Sequence, residues 1–152
     1  MINKLCKMVS SVFYLGYLPV APGTMGSFAA LFLYYFIHGD RGAIGIAIVS
    51  SLVIGFFAAG KAEEAFGEKD PSEVVIDEFA GMLIAVYSLP YTMGYMVGGF
   101  LLFRFFDIVK PRPIHELEKL HGGLGIMADD VIAGLYANFI LQTVYIINLL
   151  CH

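Results

Sequence analysis

Charged side chains are excluded from four long stretches of this chain. No Asp, Glu, Lys or Arg occurs in 8–39, 42–60, 79–103 or 131–152. Eighteen of the 22 charges crowd instead into two short windows, 61–78 and 104–130. Hydrophobic residues fill 59% of the 152 positions, against roughly 45–50% in an ordinary soluble domain. A disordered chain needs the opposite balance. A net charge of -4 with no basic stripe argues against a nucleic-acid binder, and the length supports one domain. The pattern predicts a small integral membrane protein, a single domain over 1–152, with its polar chemistry in a few segments.

The charge-free windows are not equally suited to crossing a bilayer. Windows 42–60 and 131–150 have the length a span needs, about 20 residues. In 8–39, the stretch Gly16–Ser27 reads GYLPVAPGTMGS. Its prolines and glycines break a continuous helix, and the apolar run from Phe28 to Ile37 is too short to cross alone. Pro90 interrupts 79–103, so that window is either one kinked span or two short helices turning at Pro90. The hairpin is the preferred reading. It puts eight of the nine Lys and Arg residues on one side, with Arg41 alone on the other. The positive-inside bias then predicts that the charged windows face the cytoplasm. Short helices of this kind are expected to be partly re-entrant, or packed inside the bundle.

Cys6 and Cys151 form no C-x-x-C pair, which argues against zinc-finger or thioredoxin-like chemistry. Lys4 and Lys7 precede an apolar run, as in a signal peptide, but no A-x-A-like cleavage site follows. The segment is read as retained.

Four polar segments could carry chemistry. In Pro22-Gly23-Thr24-Met25-Gly26-Ser27, Thr24 or Ser27 would cap the helix that follows. Small residues there would let backbone N–H groups approach an anion. No P-loop is present, because Gly-Lys-Ser/Thr is missing. Asp77 and Glu78 stand at the mouth of an apolar helix. They either favour its N-terminus or bind a cation that offsets their desolvation. Arg104, Asp107 and Lys110 fall at helical spacing just before Pro111. They are either a basic collar with a salt bridge or an acid flanked by phosphate-binding cations. Asp129 and Asp130 follow a glycine-rich loop at the start of the last span. Adjacent like charges repel unless a cation or proton intervenes. Three segments thus bring acids to the same end of apolar helices. Hard oxygen ligands without cysteine clusters suit Mg²⁺ better than zinc. His38 and His152 read as solvated; His115 and His121 lie where they could touch phosphate.

The stretches APGTMGS (21–27), VIDEFAGM (75–82), FRFFDIVKPRPI (103–114) and HGGLGIMADDVIAG (121–134), in this order and spacing, resemble the phosphatidylglycerophosphatase A family. The resemblance runs over nearly the whole chain from about residue 14. It implies an all-helical, Mg²⁺-dependent membrane phosphatase of bacteria, which converts phosphatidylglycerophosphate to phosphatidylglycerol and phosphate. On that reading Asp77, Glu78, Asp107, Asp129 and Asp130 supply a Mg²⁺ site and, with Lys110, the catalytic set. Arg104, Arg112 and Lys61 would hold phosphate, and Gly23, Thr24 and Ser27 would add donors. Sequence leaves open which acid is a ligand and which a nucleophile.

Other phosphatase classes lack their signatures here. There is no Ser-Gly-His segment and no Asp-x-Asp. A small transporter using intramembrane acids is the competing reading, and it predicts acids in mid-span and repeated halves. A non-catalytic assembly subunit is a third, for which the acids would govern complex formation without turnover.

Overall fold

A computed structural model of the chain describes residues 2–67, 71–112, 114–117 and 122–151, with side chains from Lys4 onward. The described residues form helices and turns without a strand. In order they are α1 (Ile2–Ser10), a 3₁₀ turn (Leu15–Tyr17), α2 (Pro22–Ile37), α3 (Arg41–Phe66), α4 (Ile76–Val86), α5 (Met93–Val109), α6 (Ile114–Leu117) and α7 (Gly123–Cys151). The expected all-helical class is what the chain adopts. Windows 42–60 and 131–150 lie within α3 and α7, of 26 and 29 residues, both long and apolar enough to cross a membrane. The side chain of Asp40 starts α3, accepting from the N–H groups of Gly42 and Ala43. This satisfies two donors that a helix start leaves open.

Two helix starts differ from the sequence expectation. Pro22 opens α2, so Thr24 and Ser27 lie inside the helix rather than capping it. Proline suits the first helical position, where its missing N–H costs nothing and its φ is already helical. The Ser27 hydroxyl donates back to the Gly23 carbonyl at 3.0 Å. Likewise α7 begins at Gly123, so the glycine-rich segment is mostly helical. Gly122 takes the left-handed conformation (φ 72°) just before it. Gly123 then presses on the Phe56 backbone of α3, where a side chain would collide. Asp129 and Asp130 are therefore the seventh and eighth residues of α7, not its cap.

The window broken by Pro90 is a hairpin, as preferred. α4 and α5 run antiparallel, with Gly81 against Phe103 and Gly99 against Val86. α4 is the central element: from Ala80 to Val86 every residue is buried. The core around it contains Tyr34, Leu83, Phe103, Ala133 and Ala137. Close packing on α7 depends on small residues, since a Cβ on Gly81 would stand 2.7 Å from the Asp130 carbonyl oxygen. Helices lacking a hydrophobic drive toward one another associate through such close contacts.

With 11 residues, α4 is too short to span a bilayer. Its last carbonyls would be costly to leave without partners. Asn138 of α7 donates to Ala85 O at 3.1 Å and to Tyr87 O at 2.9 Å, and Gln142 donates to Tyr87 O at 3.1 Å. Replacing Asn138 by Leu should therefore destabilise the bundle by about 1–2 kcal/mol. Thermal unfolding in detergent measures it; an unchanged midpoint would mean these bonds are dispensable.

Candidate metal and phosphate site

The two charged windows converge because the helices that carry them share one end. Asp77 and Glu78 occupy the first turn of α4. Arg104 and Asp107 occupy the last turns of the antiparallel α5, three residues apart and hence on one face. Lys110 caps α5 in the left-handed conformation (φ 44°), its N–H bonded to Phe106 O. That conformation is costly for a residue with a Cβ, and Pro111 prevents the helix from continuing. The turn carries the ammonium toward α7, 2.8 Å from Asp129 Oδ2. Pro22 and Gly23 of α2, with Pro71, Ser72 and Val74, complete a cavity of about 340 Å³. All five acids line it together with Arg104 and Lys110.

The acids fall into two groups. Asp107 and Asp129 each hold a cation: Arg104 Nη1 lies 2.6 Å from Asp107 Oδ2, and Lys110 pairs with Asp129. Asp77, Glu78 and Asp130 offer carboxylate oxygens that all lie within 4.8 Å of one another. Asp130 is only 3% exposed and also faces Asp107, Glu78 and Asp129. Glu78 Oε2 and Asp130 Oδ1 are buried with no hydrogen-bond partner, a cost that folded proteins rarely bear. Burial pushes the Glu78 carboxyl above its ordinary range. A hydrogen bond with Asp77 and the charge of Arg104 oppose that shift, while the charge of Asp107 adds to it. Among the described residues, five carboxylates against two cations leave a formal excess of negative charge in a confined space. A small, hard cation fits this donor set, because the carboxylate oxygens of three acids converge and no Cys or His among the described residues lines the cavity.

The expected site residues are not all brought together. Asp77, Glu78, Asp107, Lys110, Asp129, Asp130, Arg104 and Gly23 line the cavity; Thr24, Ser27, Lys61 and Arg112 do not. Lys61 borders a separate recess with Glu63, Glu64 and Gly123. The Arg112 side chain is 90% exposed and its Nε is 3.9 Å from Glu116 Oε1. Ser27 is buried and its hydroxyl is spent on its own helix. His121 lies outside the described residues. Sequence reading overlooked Pro71, Ser72 and Val74 as cavity walls. Their signal was only the position of Asp-Pro-Ser just upstream of Asp77.

Gly23 has a role that its sequence context did not disclose. A Cβ there would collide with Glu78 Oε1 and come within 3.0 Å of Arg104 Nη1. Gly26, one turn on, fits against Val75, whose carbonyl oxygen would lie 2.7 Å from an added Cβ. The two glycines thus let α2 press on the start of α4. Gly23→Ala should shift the flexible Glu78 carboxylate while leaving the fold nearly intact. The expected outcome is about a hundredfold loss of phosphate release, in line with the cost of misplacing a catalytic group, at an unfolding midpoint close to that of the parent. Full activity would show that Glu78 tolerates displacement.

Residues 8–145 match the family described as Phosphatidylglycerophosphatase A. Three curated proteins are similar to this chain. One from Bacteroides thetaiotaomicron, provisionally named a phosphatidylinositol-3-phosphatase, is 38% identical over 146 residues, spanning 90% of this chain and 91% of that protein. The phosphatidylglycerophosphatase A of Escherichia coli is 36% identical, covering 83% of this chain and 75% of that protein. The protein of the same name from Haemophilus influenzae is 38% identical, with 80% and 77% covered. No solved structure matches the chain.

Proposed function

The chain belongs to the phosphatidylglycerophosphatase A family, and from that premise we propose that it is a Mg²⁺-dependent membrane phosphatase that hydrolyses phosphatidylglycerophosphate to phosphatidylglycerol and phosphate. The observation that carries this reading is the meeting of Asp77, Glu78 and Asp130 within 4.8 Å, in one cavity with Arg104 and Lys110. Acids for a cation and bases for an anion are what a metal-assisted phosphomonoesterase requires.

Asp77, Glu78 and Asp130 would hold the Mg²⁺. When bound, it lowers the pKa of a water and draws charge from the phosphoryl oxygens. Arg104 and Lys110 bind the phosphomonoester dianion, and Asp107 and Asp129 keep those two cations aimed into the cavity. Burial strengthens these contacts by excluding water. Hydrolysis forms a bond from water oxygen to phosphorus and breaks the bond from phosphorus to the headgroup oxygen. The alcohol leaves with a proton, and the acyl chains stay in the bilayer.

The acids gather within about two turns of helix ends, unlike the mid-span acids expected of a transporter. The site is proposed to face the cytoplasm in a multi-pass protein of the bacterial inner membrane. Eight of nine Lys and Arg residues fall on that side of the proposed topology, as the positive-inside bias requires. A second substrate is favoured by the name of the Bacteroides relative. It also implies removal of a phosphomonoester from a lipid headgroup.

Phosphate release by the detergent-purified protein tests both substrates. Phosphatidylglycerophosphate, phosphatidylinositol 3-phosphate and phosphatidic acid are compared with EDTA and with graded Mg²⁺. The expected result is preference for phosphatidylglycerophosphate, loss in EDTA and recovery with Mg²⁺. Activity that resists EDTA would remove the metal from the reading. Preference for phosphatidylinositol 3-phosphate would replace the proposed substrate.

A further inference from the structure

The cavity needs a route by which a lipid headgroup arrives without leaving the bilayer. Around it, neighbouring helices are sealed by glycine contacts. Gly81 and Gly134 bring α4 against α7, Gly99 brings α5 against α4, and Gly26 brings α2 against the start of α4. The seam between α2 and α5 is built differently. No glycine among the described residues draws these two backbones together there, since Gly23 meets only the tip of Arg104 and the Glu78 carboxylate. The two helices touch through a pair of rings: Phe28 stacks on Phe100, centroids 4.9 Å apart and planes at 15°.

The seam is graded in polarity along its length. On α5, Phe100, Arg104 and Asp107 follow one helical stripe at spacings of four and three, and all three are half-buried. On α2, Thr24 lies one turn from Phe28 toward the cavity. A turn is about 5.4 Å, so the order is apolar rings, then Arg104 with Thr24, then the acids. A glycerophospholipid has the same order: acyl chains, glycerol ester and headgroup phosphate. Phe28 is 49% exposed despite its stack, so one flank stays open to a chain.

We propose that the α2–α5 seam is the lateral entrance for the lipid substrate, with the Phe28–Phe100 pair seating the first methylenes of an acyl chain while the headgroup reaches the acidic cavity. This rests on the lipid-phosphatase reading of the cavity. The apolar groove between α2 and α3, lined by Leu33, Ala47, Ile54 and Phe79, shares no wall with the cavity. It is the rival entrance.

The test compares phosphate release from long-chain phosphatidylglycerophosphate and from its deacylated headgroup, glycerophosphoglycerophosphate. Phe28→Ala and Phe100→Ala should each raise KM for the long-chain substrate about tenfold, the effect of losing one or two buried methylenes. They should leave the values for the deacylated headgroup within about twofold. Ala47→Phe, which fills the other groove, should change neither. Equal losses on both substrates, or a long-chain loss confined to Ala47→Phe, would overturn the entrance. If the parent protein released phosphate from neither substrate, the phosphatase reading itself would fall. Binding then decides the seam: the chain has no Trp, so Phe28→Trp introduces a single tryptophan, which can be excited apart from the nine tyrosines. Quenching by phosphatidylglycerophosphate with brominated chains should exceed quenching by equally brominated phosphatidylcholine, and equal quenching would overturn the seam.

Discussion

Glu78→Gln and Asp130→Asn should each lower phosphate release by about a thousandfold or more, near 4 kcal/mol in the activation barrier. Both keep shape and remove charge, and both acids have a buried oxygen without a hydrogen-bond partner. Asp77→Asn belongs with them, because its carboxylate completes the convergent set. All three should also raise the Mg²⁺ concentration needed for half-maximal activity. Asp107→Asn and Asp129→Asn should behave differently, since those acids hold Arg104 and Lys110. Their expected loss is smaller, about ten- to a hundredfold, and carried mainly by KM, as for weakened substrate binding. Stability should move the other way. Crowded like charges repel, so in EDTA the three ligand-group variants should unfold no lower than the parent. Near-parental rates in all three would place the reaction elsewhere.

Gly134→Ala should be among the most damaging single methyls in the bundle. Its Cβ would overlap the Gly81 carbonyl oxygen and stand 3.2 Å from Ile84 Cβ. Backbone cannot rotate aside as a side-chain tip can, so α4 and α7 must separate. Overpacking typically costs 1–3 kcal/mol. This contact between two backbones falls at or above the upper end, about 3 kcal/mol, a large share of a marginal stability. The same separation pulls Asp77 and Glu78 away from Asp130, so activity should fall with folded yield. Gly98→Ala is the control: its Cβ meets only Leu141 Cδ2, at 3.3 Å, and that side chain can yield. Equal unfolding midpoints for the two variants would contradict the tight α4–α7 contact.

Much of the site was legible because like charges in an apolar chain are conspicuous. Asp77, Glu78, Asp107, Asp129 and Asp130 stand out against charge-free windows, and all five line one cavity. Lys110 and Arg104 were legible for the same reason. Lys61 and Arg112 were plausible by charge alone. Their positions depend on helix phase and chain direction beyond a turn, which spacing does not reveal. Thr24 and Ser27 suited a cap, but proline at the first helical position moved the helix start upstream of both. The glycines of 122–125 suggested a loop, yet Gly123 and Gly125 lie in α7, and α3 approaches Gly123 too closely for a side chain.

The sequence by itself determined the all-helical class, the two long apolar helices and the identity of the candidate acids, and it favoured the hairpin at Pro90. Each follows from local hydropathy, proline geometry or charge, which need no distant partner. Only the tertiary structure decided which acids converge and which are tied to a base. It also decided where glycine is required and which seam stays unsealed. Those properties belong to pairs of helices remote in sequence, and they are set by how closely two backbones can approach.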